Sequence, residues 1–356
     1  MKIVHLTESL KIGGAEKLIS LLCRLQRRQG HDPSVHCLFQ MGILGEELRA
    51  EGFEVIVHQP PALKIMRTVY RGLKQRAPEV VHCHNATATI LGALPARLAG
   101  VKSILATRHG LVSPPYSLRR ELKFAMASRW CNWIVAVCEQ AKQNLCAAPL
   151  AARRKVVRVY NAVAPLPAKE ARLPEKRGLT LLHVARLSAV KDQATLLRAF
   201  ALARARMPEL RMWIVGDGPL RAELEGAAQD LGIHGSVTFF GEQADPCPFY
   251  AAADLFVLSS VTEGIPISLL EALSAGLPAV ATDVGGMAEI ARLSGAVAVV
   301  SPSNPNALAD AILQIAQSPA ELPRLRDMAR QCYLQYFTLE RMADEYMRLY
   351  QGLPLL

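Results

Sequence analysis

Two glutamates eight positions apart, Glu263 and Glu271, straddle the start of an apolar-periodic helix in the segment Thr262-Glu263-Gly264-Ile265-Pro266-Ile267-Ser268-Leu269-Leu270-Glu271. Earlier in the chain, Val184-Ala185-Arg186-Leu187-Ser188-Ala189-Val190-Lys191 sets an arginine and a lysine just past a hydrophobic strand. These residue types suit a pocket for a sugar whose leaving group is a diphosphate. Carboxylates accept from hydroxyls, whereas cations and a helix N-terminus take up phosphate charge. Pro266 fits the first turn because it has no N–H to leave unpaired, so Ile267, Ser268 and Leu269 offer open amides to an anion. Glu271, in the second turn, is placed to accept from both ribose hydroxyls, and Glu263, off the helix, from sugar hydroxyls. Taken singly, each has a blander reading: a solvated loop glutamate, a helix carboxylate favoured by the dipole, two exposed cations on a turn. The Gly-Ile-Pro and Ala-Gly-Leu-Pro punctuation around the pair of carboxylates favours the site.

The first half offers weaker signals. Gly13 and Gly14 follow the first apolar run, with Glu16 and Lys17 opening the next helix. Two glycines let backbone approach a ligand closely, but their spacing is not the GxGxxG of dinucleotide binding. His109, followed by Gly110, ends a strand and could bond a sugar hydroxyl or phosphate; His84 ends the neighbouring strand. Isolated histidines are more often structural, and His109 is favoured only by its place at a strand end. Gly216-Asp217-Gly218-Pro219 reads as a strand-to-helix turn with Asp217 as a candidate helix cap. Phe240-Gly241-Glu242 ends another strand, where backbone groups could read a nucleobase edge.

The elements that must position these residues alternate regularly. Strands at Ile3–Thr7, Asp32–Phe39, Phe53–His58, Val80–His84, Ser103–Thr107, Trp133–Val137 and Val156–Val159 are separated by helical stretches, among them Leu63–Gln75, Thr87–Ala99 and Leu118–Ala127. The three prolines and mixed charges of Ala162–Gly178 read as a linker. A second series follows: strands at Leu179–Val184, Arg211–Val215, Val237–Phe240, Leu255–Leu258, Ala279–Ala281 and Ala296–Val300, with helices between them and a last one at Asn306–Gln317. Repeated strand–helix units predict an α/β fold with two parallel sheets. Ligands of such sheets sit at the carboxyl ends of the strands, where every motif above falls. Two sheets joined by a linker are expected to leave a cleft.

The 356 residues are half apolar, enough for two cores. Residues 1–170 hold 25 Lys and Arg against 11 Asp and Glu, a net +14, whereas residues 171–356 hold 16 against 20, a net −4. A solvated basic face accounts for this, as does an anionic partner on the first half. No recognition motif accompanies the charge, so nucleic acid is not expected as a partner. The eight cysteines are scattered without a CxxC and read as reduced core thiols. His82-Cys83-His84 does not read as a metal site, because adjacent residues on a strand face opposite ways, and no metal is expected. No apolar run reaches membrane-spanning length and no signal peptide opens the chain, so a cytoplasmic protein is expected, with a peripheral membrane position open.

In these motifs the chain resembles the retaining glycosyltransferases of family 4, with two Rossmann-like domains in the GT-B arrangement. The resemblance rests on Gly13-Gly14-Ala15-Glu16, Arg108-His109-Gly110, Tyr160-Asn161-Ala162-Val163, Val184–Lys191, Val215–Pro219, Phe240-Gly241, Glu263–Asp283 and Gly285-Gly286-Met287-Ala288-Glu289, in the family's order and over nearly the whole chain. It implies an acceptor-binding domain at residues 1–164, a donor-binding domain at 165–336, and a helix at about 337–356 that crosses back. By the same resemblance, the catalytic set is His109, Arg186, Lys191 and Glu263. The donor side would comprise Gly13, Gly14, Gly216, Gly241, Ile267, Ser268, Leu269, Leu270 and Glu271, with His84 and Glu16 on the acceptor side.

The implied substrates are a UDP- or GDP-sugar and a glycan or lipid-linked hydroxyl acceptor, with no cofactor. Asn161-Ala162-Val163 stands where Asn-Gly-Val or Asn-Gly-Ile is usual, and the turn survives if Asn161 holds a positive φ. Ile265 stands where an aromatic is frequent. The rivals are a nucleotide-sugar 2-epimerase of the same fold, which needs no acceptor, and a non-catalytic binding module, which the intact Arg186, Lys191, Glu263 and Glu271 set disfavours. Cations set among apolar residues in Leu63–Gln75 and Leu118–Arg129 suit interfacial helices on an anionic membrane, or ordinary amphipathic helices in solvent.

Overall fold

The computed structural model describes residues 1–59, 64–110, 117–148, 152–166 and 178–355. Leu63, named above as a helix start, and most of the Ala162–Gly178 linker lie outside them. The chain divides into two compact units, Met1–Ala162 with Leu339–Leu356, and Val163–Thr338.

The first unit runs β1 (Lys2–Ser9), α1 (Gly14–Arg28), β2 (Asp32–Gln40), α2 (Ile43–Ala50), β3 (Glu54–Val57), α3 (Ile65–Arg76), β4 (Val80–His84), α4 (Asn85–Leu98), β5 (Ser103–Arg108), α5 (Leu118–Ser128), β6 (Trp133–Ala136), α6 (Glu139–Ala147) and β7 (Val156–Arg158). The second runs β8 (Thr180–Val184), α7 (Gln193–Arg206), β9 (Arg211–Val215), α8 (Arg221–Asp230), β10 (Val237–Gly241), α9 (Cys247–Ala252), β11 (Leu255–Leu258), α10 (Ile267–Ser274), β12 (Ala279–Thr282), α11 (Met287–Ser294), β13 (Val297–Val300), α12 (Pro305–Ala316) and α13 (Leu322–Tyr336). A last helix, α14 (Leu339–Tyr350), belongs to the first unit.

The first sheet has the order β3-β2-β1-β4-β5-β6-β7 and the second β10-β9-β8-β11-β12-β13. Every pairing between these strands is parallel. In each sheet the order reverses beside the first strand, between β1 and β4 and between β8 and β11. At such a switch point the connections leave toward opposite faces, and the carboxyl ends of the two strands stay uncovered. Central strands are apolar runs because helices cover both faces; Leu255-Phe256-Val257-Leu258 of β11 is buried throughout. Around it, Leu196, Leu197 and Phe200 of α7 and Leu308 and Ile312 of α12 close the second core.

One helix escaped the pattern reading. The sequence suggested no element over Leu322–Tyr336, yet α13 occupies all of it. Pro323 looks like a breaker but stands in the first turn, where no N–H is needed, and the buried face is only Ala329, Cys332 and Tyr333. The amphipathic α14 starts at Leu339, two residues later than expected, and buries Leu339, Met342, Ala343, Tyr346, Leu349 and Tyr350 at helical spacing. No disulfide forms among the described cysteines.

Gly216 follows β9 at φ +126°, where an added Cβ would collide with the Ala185 carbonyl oxygen, while its N–H donates to Gly241 O at 2.7 Å. Gly226, inside α8, has open space at the same position. Gly216→Ala is therefore expected to destabilise the second unit by about 2 kcal/mol. Gly226→Ala should stabilise it by roughly 0.5–1 kcal/mol. Urea titrations of the two variants measure both; equal shifts would mean that the close approach at Ala185 carries no strain.

Candidate active site

In the second unit, the loops after β8 and β11 meet at the switch point. They are fastened backbone to backbone, with Val261 N–H donating to Val190 O at 2.9 Å and the Ser259 hydroxyl donating to Lys191 O at 2.8 Å. This brings Lys191 against Glu263. The lysine Nζ donates to Glu263 Oε1, and the Ser260 hydroxyl donates to the same oxygen at 2.7 Å. Both partners of the ion pair are largely shielded, the lysine side chain 22% and the glutamate 12% exposed. Arg186 is exposed, and no described residue pairs with its guanidinium. Its backbone is fixed from below: the buried Gln193 Nε2 donates to Arg186 O at 3.0 Å and lies 3.2 Å from His183 Nε2. His183 donates from Nδ1 to Val257 O at 2.9 Å. Burial pushes this histidine down to about 4, so the ring is neutral and its Nε2 accepts from Gln193.

Helix α10 opens beside this loop. Pro266 is its N-cap rather than its first-turn residue, extended at φ −66° and ψ 130° with no side-chain cap. The Ile267, Ser268 and Leu269 amides precede the first intrahelical bonds and point out of the N-terminus. Leu270 differs from its expected role: its N–H donates to Pro266 O at 3.4 Å and its side chain is wholly buried, so it serves the helix. Glu271 is held by the buried Tyr250, whose hydroxyl donates to Oε2 at 2.7 Å. Burial raises the phenol well above its ordinary value, which keeps it a donor. Gly285, at φ +62°, packs where a Cβ would strike the Glu263 carbonyl, and Gly286 N–H donates to Gly264 O at 2.8 Å; both hold the Glu263 loop down.

Asp217 is not the cap of α8, which starts after Leu220 with no side-chain cap. Its carboxylate instead accepts from Gly218 N–H at 2.7 Å and from Arg221 at 2.8 Å. The first of these, then the arginine, lowers its pKa. Gly216 and Gly241 meet in an isolated bridge beside it.

The first unit builds a different environment at its own switch point. Register pairs His5 with His82 and His84 with Thr107, so these side chains share one face of the sheet. The adjacency argument against a histidine cluster holds for Cys83 but not for His82 and His84, two apart on one strand. His5, His82 and His84 come together, their ligand atoms within 4.8 Å of one another. Their ring nitrogens are already engaged. His5 Nε2 lies 2.8 Å from Gln26 Oε1 and its Nδ1 3.1 Å from His84 Nε2. His84 Nδ1 lies 3.0 Å from His109 Nε2, and His82 sits between Tyr350 and Thr107 at 2.8 and 2.7 Å.

Burial lowers all four histidines, His5 and His109 to about 4 and His82 and His84 well below the usual value. His109 is partly exposed, although its Nδ1 atom is buried. Its backbone N–H donates to Asn85 Oδ1 at 3.2 Å, from a residue held at φ +68°. Asn161 does not adopt the positive φ on which the turn was conditioned; it is buried and faces His109. Gly13 caps α1 in an extended conformation, and the Glu16 carboxylate folds over it so closely that a Cβ there would collide. Gly14 is exposed at the start of α1. Arg108, beside His109, grips Glu121 with two bonds of 3.1 and 3.3 Å and anchors α5.

His109, His84, Gly13, Gly14 and Glu16 thus lie at strand ends or the helix start of one unit, and the remaining expected residues at those of the other. Ser260, Tyr250, His183 and Gln193 were not expected. The Ser259-Ser260 pair after an apolar strand was the one visible signal; a buried tyrosine or glutamine that orients a neighbour has none.

Two Rossmann-like units with sheets of this order define the GT-B class of glycosyltransferase fold. Solved structures agree: HepE from Anabaena, in complex with UDP, superposes with a TM-score of 0.88 at 21% identity over 99% of this chain and 100% of that one. WaaG, a glycosyltransferase involved in lipopolysaccharide biosynthesis, does so at 0.74 and 17% over 97% and 99%. The profile described as "Glycosyltransferase Family 4" matches residues 12–165, and that of "Glycosyl transferases group 1" matches residues 178–318. The chain belongs to these group 1, family 4 glycosyltransferases. Among its relatives, EpsD of Bacillus subtilis is 28% identical, with 83% of this chain and 84% of that protein covered. An Escherichia coli UDP-Gal:alpha-D-GlcNAc-diphosphoundecaprenol alpha-1,3-galactosyltransferase is also 28% identical, with 63% and 62% covered.

The depressed histidines set a pH dependence. Unfolded imidazoles bind protons below about 6.5, whereas native His5, His36, His82, His84, His109 and His183 resist protonation until well below that. Their contribution is complete above about pH 6.5 and is lost as pH falls toward 4, by up to about 1.4 kcal/mol per pH unit for each ring. Urea midpoints at pH 7.5, 6 and 5 should fall steeply; a flat profile would contradict neutral burial.

Proposed function

We propose that the chain moves a hexose-type sugar from a nucleotide-diphosphate donor to an acceptor hydroxyl, with retention of anomeric configuration and without a metal. The observation that carries this reading is the meeting, at one switch point, of Arg186, the Lys191–Glu263 pair, the α10 N-terminus and Glu271. Arg186 and the Ile267, Ser268 and Leu269 amides would take the diphosphate, and Glu271, oriented by Tyr250, the ribose hydroxyls. Lys191 is held ready by Glu263 and transfers to the phosphate as negative charge grows on the leaving group; charge placed in advance needs no reorganisation during the reaction. The donor phosphate nearest the sugar accepts the acceptor's proton as the sugar–oxygen bond to the leaving group breaks, and the new glycosidic bond forms on the same face. Glu263 then positions the sugar rather than attacking it.

Donor and acceptor classes draw support from relatives. HepE was solved with UDP-glucose, and the Escherichia coli relative is named for a UDP-sugar and a diphosphoundecaprenol-linked acceptor. A UDP- or GDP-sugar donor and a glycan or lipid-linked acceptor in cell-surface polysaccharide or glycolipid assembly fit best. Lys191→Ala and Glu271→Ala should each lower transfer from UDP-sugars or GDP-sugars about a hundredfold or more, with unchanged circular dichroism and no loss of wild-type rate in chelator. Wild-type rates in both variants would remove the site from the mechanism.

A peripheral position on an anionic membrane is favoured by α5. Arg119, Arg120, Lys123 and Arg129 are exposed, and among them stand Leu118, Met126 and Trp130 at 56%, 62% and 43% exposure. Cations around a projecting tryptophan and aliphatics suit the lipid–water interface. No helix among the described residues is long and apolar enough to cross a membrane. Sedimentation with vesicles rich in phosphatidylglycerol should carry the protein down at low salt, and Trp130→Ala with Lys123→Ala should weaken this several-fold. Equal sedimentation with neutral vesicles would exclude the electrostatic docking.

A further inference from the structure

The Arg186 side chain is exposed and no described residue pairs with its guanidinium, so whatever aims it must act through its backbone. The peptide joining Arg186 to Leu187 is gripped on both sides. Its carbonyl accepts from Gln193 Nε2 at 3.0 Å, and its N–H donates to Asp217 O at 3.0 Å. One residue earlier, Ala185 N–H donates to Val215 O at 3.1 Å and extends the pairing of β8 with β9. Of these three contacts, only the one from Gln193 is supplied by a side chain.

Gln193 opens α7 and is 1% exposed. Its orientation is not free. A backbone carbonyl only accepts, so the group that faces Arg186 O is the carboxamide NH2. The second proton of that group faces His183 Nε2 at 3.2 Å, and this nitrogen must accept it. The far side of the ring agrees independently. Nδ1 lies 2.9 Å from Val257 O, another group that only accepts, and therefore carries the proton. Turning the carboxamide over would set its oxygen 3.0 Å from Arg186 O, and turning the ring over would put carbons against both partners.

The arrangement needs a neutral imidazole, because a charged one has no lone pair to offer Gln193. Burial, opposed by the Val257 bond and assisted by the Lys191 charge, brings His183 down to about 4. Fixing the plane of the peptide after Arg186 fixes the direction in which its side chain leaves the chain. A cation aimed in advance has less freedom to lose when an anion arrives.

We propose that Gln193, oriented by the neutral ring of His183, positions Arg186 for a diphosphate by holding the peptide that follows it. The diphosphate rests on the glycosyl-transfer reading; the hold on the loop does not. Gln193 and His183 are positioning residues, and through them β8, α7 and β11 converge on one exposed cation.

In the wild-type protein at neutral pH, nitrogen-15 histidine labelling with long-range proton correlation should show His183 protonated on Nδ1 alone. A proton on Nε2 overturns the proposal, since that nitrogen could not then accept from Gln193. Gln193→Met keeps the side chain's length and removes its donors. Without ligand, the amides from Leu187 to Lys191 should exchange about tenfold faster in this variant while those of β11 keep their protection. Unchanged exchange in the loop, or equal loosening of β11, overturns the hold whether or not sugar is transferred.

Calorimetry with pyrophosphate, UDP and GDP tests the link to Arg186. Gln193→Met should weaken binding about tenfold and cause no further loss when introduced into Arg186→Ala. Equal losses in both backgrounds would show that Gln193 does not act through Arg186, and the positioning role falls. His183→Asn, which retains a donor for Val257 but no acceptor for Gln193, should repeat the Gln193→Met loss; wild-type affinity in this variant overturns the part given to His183. If the wild-type chain binds none of the three probes and turns over no nucleotide sugar, the glycosyl-transfer reading fails, and the exchange and tautomer measurements still decide the hold.

Discussion

The carboxyl ends of β8 and β11 lie side by side because the order of the second sheet reverses between them. A helix leaving β8 and one leaving β11 cannot both cover the gap, so two loops occupy it. Arg186, Lys191, Glu263, the open amides of α10 and Glu271 all hang on those loops or on α10, which follows the second. Val190 and Val261 join them through the backbone, the Ser259 hydroxyl reaches across to the Lys191 carbonyl, and Ser260 holds Glu263 within the second loop. Lys191 and Glu263, 72 positions apart in the chain, can form one ion pair only because of that closure.

The two units treat charge in opposite ways. At the second unit's strand ends, charge is kept near solvent, where Arg186 is exposed and the Lys191–Glu263 pair is shielded but not buried. A charged group there retains part of its hydration while being held for a ligand. The first unit fills its strand ends with rings that burial keeps neutral. An ionised imidazole among His5, His82 and His84 would lose its hydration and repel its neighbours. The network instead satisfies its polar atoms with one another, with Gln26 of α1 and with Tyr346 and Tyr350 of α14. A fully connected buried network of this sort fixes geometry strongly, because each lost partner leaves a polar atom unpaired.

Much of this was legible in one dimension. Apolar runs punctuated by glycine marked the strands, and Glu263, Glu271, Arg186 and Lys191 stood out by type and by position after a strand. The failures have definite causes. Helix α13 was missed because its apolar face is narrow and a proline opens it. Asp217 has the chemistry of a helix cap, but Gly218 and Arg221 offer its carboxylate nearer donors. Leu270 stands one residue too deep in its helix for its amide to remain open. The clustering of His82 and His84 was missed because the argument against a metal site at His82-Cys83-His84 is valid for neighbours and invalid for residues two apart.

Spacing and residue type, which are local, determined that α/β units repeat, that carboxylates flank a helix start, and that basic residues crowd the first half. Strand order and side-chain partnership are not local, and only the tertiary structure decided them. It chose which strand ends adjoin, which oxygen of Glu271 Tyr250 claims, and which buried rings of the first unit touch. The physical reason is that a hydrogen bond depends on distance and direction in space, and residues as far apart as Gln26 and Tyr350 acquire both only when the chain folds.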